Sequence, residues 1–287
     1  MQKQKTHISI MLIFSSVFFN TVSFAGQTIY ADTDQVVEFY QQGKTIFNTS
    51  MPNDGSGHYF TDSNPETRKN NDPTAIWLRD SQGAIEIATV GLSIPADVHI
   101  SPDNQTLYVT EYGAQHSFIS AMYRNTNGWT SPQKVARLQM PKGAGYPTST
   151  NEGKIYFSSD GDIYMNDGVK NNKLPATINS DDGEHDPFIA QDESFLIVVR
   201  QVLGDSNMFI SFKQNDKWSK LIKLPEPFNL DKIDGSPYVT PDKKYLFFSS
   251  NRHGEGLRTY QAPFKLFYER LRKNGAVDLV DQNTLTH

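Results

Sequence analysis

The sequence predicts an all-β protein, a β-propeller of five (alternatively six) four-stranded antiparallel blades, closed by an N-terminal strand and followed by a short C-terminal helix. Three observations predict it. Residues 26–265 show almost no helical periodicity. Short runs of strand composition recur instead, each set off by a Pro-, Asp-, Asn- or Gly-containing turn. The pattern also repeats: aligning the turns matches Val98, Pro147, Pro187 and Pro237, at intervals of 49, 40 and 50 residues. A period of that length with several strands per unit indicates blades rather than a helical solenoid.

The elements follow in order. Strands are predicted at 35–40, 44–48, 57–61, 74–79 and 84–90, one more than a blade requires. Four later units share a turn and then an apolar strand: SPDNQ at 101–105 before 106–110, TNEG at 150–153 before 154–158, AQDES at 190–194 before 195–199, and TPDKK at 240–244 before 245–249. A third run follows in each, at 118–123, 162–165, 208–212 and 257–260. In two units a Trp (Trp129, Trp218) opens a fourth, at 133–138 and 219–224. The last unit ends after its third strand, near Pro263, so the surplus N-terminal strand is expected to complete it and leave no open sheet edge. Phe267 and Leu271, with basic residues ahead of Asn274-Gly275, predict a helix over 264–273, leaving 276–287 as a tail.

At the N-terminus, Lys3 and Lys5 precede an apolar run from Ile8 to Phe14, and Ser23-Phe24-Ala25 supplies small residues at a cleavage site. Residues 1–25 therefore read as a secretory signal peptide, giving 26–265 as the propeller and 266–287 as helix and tail. The apolar run is short for a spanning helix, so no membrane span is expected after cleavage, and the expected location is the periplasm or the medium. Losing Lys3 and Lys5 takes the formal charge from −5 to −7, the wrong sign for nucleic acid. The absence of Cys excludes disulfides and thiol catalysis. A monomer is expected.

The stretch DGSPYVTPDKKYLFFSSNRHGEG (234–256) resembles the repeat of the TolB-like, WD40-like β-propeller family: a Pro, a Ser/Thr-Pro-Asp turn, a Leu-x-Phe strand, then Ser-Asn-Arg. INSDDGEHDPFIAQDESFLIVVRQ (178–201) is similar, and 95–113 and 145–167 are weaker copies. Val199-Arg200-Gln201 and Asn151-Glu152 depart from the pattern. The resemblance implies the fold. Such propellers serve as binding platforms, accessory domains or enzyme scaffolds, so the site must decide the function.

In a propeller, the residues just before the innermost strand of each blade crowd one mouth of the channel. That places together Asp97, His99, Tyr146, Glu184, His185, Asp186, Asp234 and Tyr238, a set suited to a polar ligand or to tying blades together. The acidic loop from Asn179 to Asp186 offers oxygens to a cation such as Ca²⁺, although it lacks the spacing of a dedicated calcium loop, and a solvated loop is the plainer expectation. No other cofactor is expected. Tyr112, His116, Tyr123, Trp129 and Trp218 are expected to pack between blades rather than to stack on a sugar. Neither H-E-x-x-H nor G-x-S-x-G occurs. The expected function is thus a non-enzymatic, exported propeller binding a protein, peptide or glycan at the channel mouth. The alternative is a metal-dependent hydrolase or lyase acting on a lactone or a polysaccharide fragment.

Overall fold

The computed structural model describes residues 35–38, 46–62, 74–80, 83–86, 94–230, 232–254 and 256–273. The signal-peptide reading of 1–25 and the tail at 276–287 lie outside them. Five antiparallel sheets form a five-bladed propeller ring. Six blades do not form, because the N-terminal strands make one complete blade and supply one strand to another.

Blade 1 orders Ile46–Ser50, His58–Asp62, Ala75–Asp80 and Gly83–Glu86 from the axis outward. Blade 2 begins with Pro95–Ile100, Thr106–Tyr112 and Ser117–Asn125. Its outer edge is shorter than the sequence suggests: only Gln133–Lys134 pairs there, before a 3₁₀ turn at Ala136–Leu138, while Gly128–Trp129 pairs separately. Blade 3 is Gly145–Ser149, Ile155–Ser159, Asp162–Asn166 and Asn171–Lys173. Blade 4 has Glu184–Ile189, Phe195–Val202 and Asp205–Gln214, with Lys217–Trp218 and Ile222–Lys223 outside them. Blade 5 is Asp234–Val239, Tyr245–Ser250 and Arg258–Pro263, completed by Val37–Glu38.

That closing strand pairs Val37 with Gln261 and Glu38 with Tyr260, and Arg258 grips the Glu38 carboxylate at 3.1 Å. The ring is thereby fastened by residues 220 positions apart.

In blades 4 and 5 the second strand is covered on both faces, which is why it reads as an unbroken apolar run. Phe195 to Val199 and Tyr245 to Phe248 are all buried. The largest core joins blades 4 and 5 through Phe195, Phe212, Phe228, Phe247 and Phe248. A helix over 265–273 lies on it, with Tyr268 5.3 Å from the Phe195 ring and Leu271 buried behind. His58 is wedged between Phe60 and Phe247, and burial, with Arg79 nearby, holds its imidazole well below the ordinary range and so neutral. Among the described residues no helix is long and apolar enough to cross a membrane.

Phe247 is fully buried at the centre of this core. Phe247→Ala is expected to lower the unfolding free energy by about 3–5 kcal/mol in denaturant melts. Leu266→Ala, on the exposed face of the helix, should change it by less than about 0.5 kcal/mol.

Candidate functional site

The channel is shaped by one irregularity that occurs in every blade. Each innermost strand carries one residue more than the strand beside it, between Phe47 and Thr49, Ala96 and His99, Gly145 and Thr148, His185 and Phe188, and Gly235 and Tyr238. At each bulge one residue adopts left-handed backbone: Asn48, Asp97, Tyr146, Asp186 and Ser236, with φ of 52°, 49°, 55°, 52° and 50°. Asn and Asp tolerate this region, whereas Tyr146 sits there at a cost that its surroundings must offset. Pro147, Pro187 and Pro237 follow directly, where a bulged strand can do without an N–H. The sequence period aligned on these prolines is therefore the period of the bulge.

All five bulge residues line one central cavity, with Thr49, His99, Phe188 and Tyr238 on its walls. They are linked from blade to blade. The Tyr146 backbone N–H of blade 3 donates to Thr110 Oγ1 of blade 2 at 2.9 Å, and Asp186 in blade 4 accepts the Ser236 N–H of blade 5 at 2.6 Å. The Ser236 hydroxyl then donates to Asn48 Oδ1 of blade 1 at 3.2 Å. At Gly235 a Cβ would press on Val199 at 3.3 Å and touch Asp186 Oδ2 at an ordinary 3.5 Å. Tyr112, at the end of blade 2's second strand, donates its hydroxyl to Asp97 Oδ2 at 2.9 Å.

The cavity is small, about 30 Å³, room for a water or two. One mouth is shut. Asn53 and Gln191 exchange a reciprocal amide pair at 2.9 and 2.6 Å, spanning blades 1 and 4, and Asn53 also donates to the Pro102 carbonyl at 3.1 Å. The opposite mouth is rimmed by half-buried Asn48, Tyr146, His185 and Ser236.

Two carboxylates share this confined space. Burial, reinforced by the like charge of Asp186, pushes Asp97 up to about 7. Burial also raises Asp186, against the pull of His185 and the Ser236 N–H. The Asp97 charge and burial raise Tyr146, and burial with the same carboxylate raises Tyr112, so both phenols stay protonated.

The eight residues singled out by sequence divide into three groups. Asp97, Tyr146 and Asp186 line the cavity, and His185 stands beside the Tyr146 ring at 5.8 Å with Nδ1 buried and without a hydrogen-bond partner. His99 and Tyr238 also line the wall, but their polar atoms are engaged. His99 Nε2 accepts the Ser149 N–H at 3.0 Å, and burial pushes its pKa down to about 3. The Tyr238 hydroxyl donates to the Met51 carbonyl. Glu184 and Asp234 do not reach the cavity. They are fully buried and ion-paired, Glu184 to Arg200 at 2.6 Å and Asp234 to Arg252 at 3.3 Å, and each also caps the chain before its strand, at the Ser180 N–H and the Leu230 N–H.

The acidic loop does not converge either. Asn179 turns into blade 3 to bond Ile163 and Leu174, Glu184 faces Arg200, and Asp181 and Asp182 are exposed. Asn48 and Thr49 were missed by sequence reasoning because the first innermost strand lacks the proline that marks the repeat, and Ser236 because a serine before Pro237 carries no charge or ring to single it out. Tyr112 was assigned to packing and instead supports Asp97. Trp218 is buried against Tyr156 as expected, and Trp129 is half-buried between Tyr59 and Arg124.

A five-bladed ring with a narrow polar channel defines a small β-propeller. No known family profile matches the chain, and no curated protein does. Among solved structures it is similar to TolB from Acinetobacter baumannii (TM-score 0.51, 15% identity, covering 77% of this chain and 54% of that one). It is also similar to a protein described as a TolB from Agrobacterium tumefaciens (TM-score 0.50, 14% identity, 74% and 72% covered). A gluconolactonase from Xanthomonas campestris is comparable (TM-score 0.52, 12% identity, 80% and 79% covered). The fold is TolB-like, and the chain spans about half the length of the Acinetobacter TolB.

Two predictions follow from these environments. Because Asp97 is raised in the fold, its ionisation costs stability progressively as pH rises from about 4 to about 7. Asp97→Asn should therefore stabilise by about 1–3 kcal/mol at pH 8 and by much less at pH 5, read from paired denaturant melts. Asp234→Ala, which strands the Arg252 guanidinium in the interior, should cost about 3–5 kcal/mol at either pH.

Proposed function

We propose that this chain is a non-enzymatic propeller, exported to the periplasm or the medium, that binds a peptide segment of a protein partner at the open mouth of its channel. The observation that carries the reading is convergence. Five blades each aim one bulged residue at a single cavity, and the rim formed by Asn48, Tyr146, His185 and Ser236 is half-exposed while Asp97 and Asp186 form a buried acidic floor. Backbone held in a sparsely populated conformation at one repeated place is the kind of strain that collects at functional sites.

A peptide suits the dimensions better than a glycan. The floor admits one small group, such as the tip of a side chain, whereas a sugar ring would have to stay outside it. Recognition would combine the phenol and imidazole faces of Tyr146 and His185 with hydrogen bonds from the rim. The signal-peptide pattern of residues 1–25 supports export. Turnover has less support: among the described residues no three His, Asp or Glu side chains group as a metal centre, and Glu184 and Asp234 are committed to ion pairs.

The test is to select peptides from a displayed library on the purified chain and measure their affinity by fluorescence anisotropy. Tyr146→Ala and His185→Ala should each weaken the selected peptides at least about tenfold with little change in the melting temperature. Peptides that bind both variants as tightly as the parent, or a chain that responds only to oligosaccharides on a glycan array, would contradict the reading.

A further inference from the structure

We propose that the cleft between blades 2 and 3, on the face where the channel is shut, is a binding site for a neutral sugar ring, seated against Tyr108 and hydrogen-bonded by Asp103, Thr106 and Asn151. It lies away from the axial channel and needs no peptide ligand, so it stands or falls apart from the reading above.

The first argument is an interruption in the repeat. On this face the turn between the first two strands of blades 2 to 5 carries one left-handed residue, Asn104, Gly153, Glu193 and Lys243 in turn, with φ of 58°, 78°, 57° and 59°. Each donates its N–H to the carbonyl three residues back. Three of these side chains staple their blade to the preceding one. Asn104 donates to Asp54 of blade 1 at 3.1 Å, Glu193 accepts from Lys154 of blade 3 at 2.7 Å, and Lys243 donates to Asp192 of blade 4 at 3.2 Å. Gly153 has no side chain to reach blade 2, and a Cβ there would meet nothing within 4 Å. Blade 1 also carries a glycine, Gly55, but its seam with blade 5 is joined by the Tyr238 hydroxyl on the Met51 carbonyl.

The second argument is what this gap leaves. The cleft holds about 240 Å³, against about 30 Å³ at the axis, and so has room for a ring where the axis admits a water or two. Half-buried Tyr108 lines it, and the ring lies nearly parallel to His99 at 6.3 Å, which holds it in place. Most of the remaining lining is hydroxyl and amide, with Asp103 the one carboxylate. Among the described residues Thr106 Oγ1 and the Asn151 side-chain amide have no hydrogen-bond partner. Asp103 uses Oδ1, for the Ser101 hydroxyl and the Gln105 N–H, and leaves Oδ2 over.

The lining decides the class of ligand. No Lys or Arg is part of it, so nothing there favours a phosphate or a carboxylate. An apolar ligand would cover Thr106, Asn151 and Asp103 without replacing their bonds to water. A sugar meets both conditions. Its C–H face packs on an aromatic ring, and its hydroxyls can donate to Asp103 and Thr106 while accepting from the Asn151 amide.

Glucose, galactose, mannose and N-acetylglucosamine, with their short oligomers, are the probes, read on the full chain by saturation-transfer NMR and titrated by calorimetry. At least one should bind saturably. Tyr108→Leu should weaken that sugar at least about tenfold. Gly153→Asn, which copies Asn104 and suits left-handed backbone, should weaken it as much by filling the cleft, in a chain that melts like the parent. Tyr146→Ala, at the channel mouth, should leave it unchanged. The proposal is overturned if no sugar binds the parent saturably. Binding that survives both Tyr108→Leu and Gly153→Asn, or that disappears with Tyr146→Ala, overturns it equally.

Discussion

Five sheets can share one axis only if their innermost strands fit side by side around a space too narrow for ordinary side chains from all of them. This chain meets that constraint with a single extra residue in each innermost strand. The bulge kinks the strand, turns one residue into left-handed backbone and frees its N–H from the sheet ladder. Two of those N–H groups are then taken by the neighbouring blade, Tyr146 by the Thr110 hydroxyl and Ser236 by the Asp186 carboxylate. Ring closure and the polarity of the channel thus have one cause.

The acidic residues of the repeat divide between two tasks for a simple geometric reason. A carboxylate at the first position of an innermost strand, as at Glu184 and Asp234, meets an Arg near the end of the second strand, Arg200 within it or Arg252 in the turn just after it. Two positions along the strand, at the bulge, the side chain faces the axis and meets other blades. One position fixes each blade internally, and the other assembles a shared cavity. The charge left unpaired at the axis is therefore a property of the whole ring and of no single blade.

Much of the fold was legible because turns and apolar strands repeat on a fixed period, and because a surplus strand at one end matched a missing strand at the other. The Pro147, Pro187 and Pro237 alignment marked the bulge without revealing what it was. The outer strands were read less well: they are only two to four residues long, and their composition carries little signal. The site was legible in part. Asp97, Tyr146 and Asp186 stood out as polar residues at a repeated position, but proximity in sequence drew in Glu184 and Asp234, which lie before the bulge and face an Arg of their own blade. Asn48 and Thr49 stayed hidden because blade 1 lacks the proline, and the orphaned hydroxyl of Thr49 exists only once five blades surround it.

The account rests on Asp97 and Asp186 being confined together in one buried space. Carbon-detected NMR titration of the aspartate carboxyls, assigned with Asp97→Asn, measures that confinement directly. The account predicts that Asp97 titrates near 7, well above the ordinary aspartate value of 3.8. An Asp97 that titrates near the ordinary aspartate value contradicts it and leaves the channel an open, solvated bore.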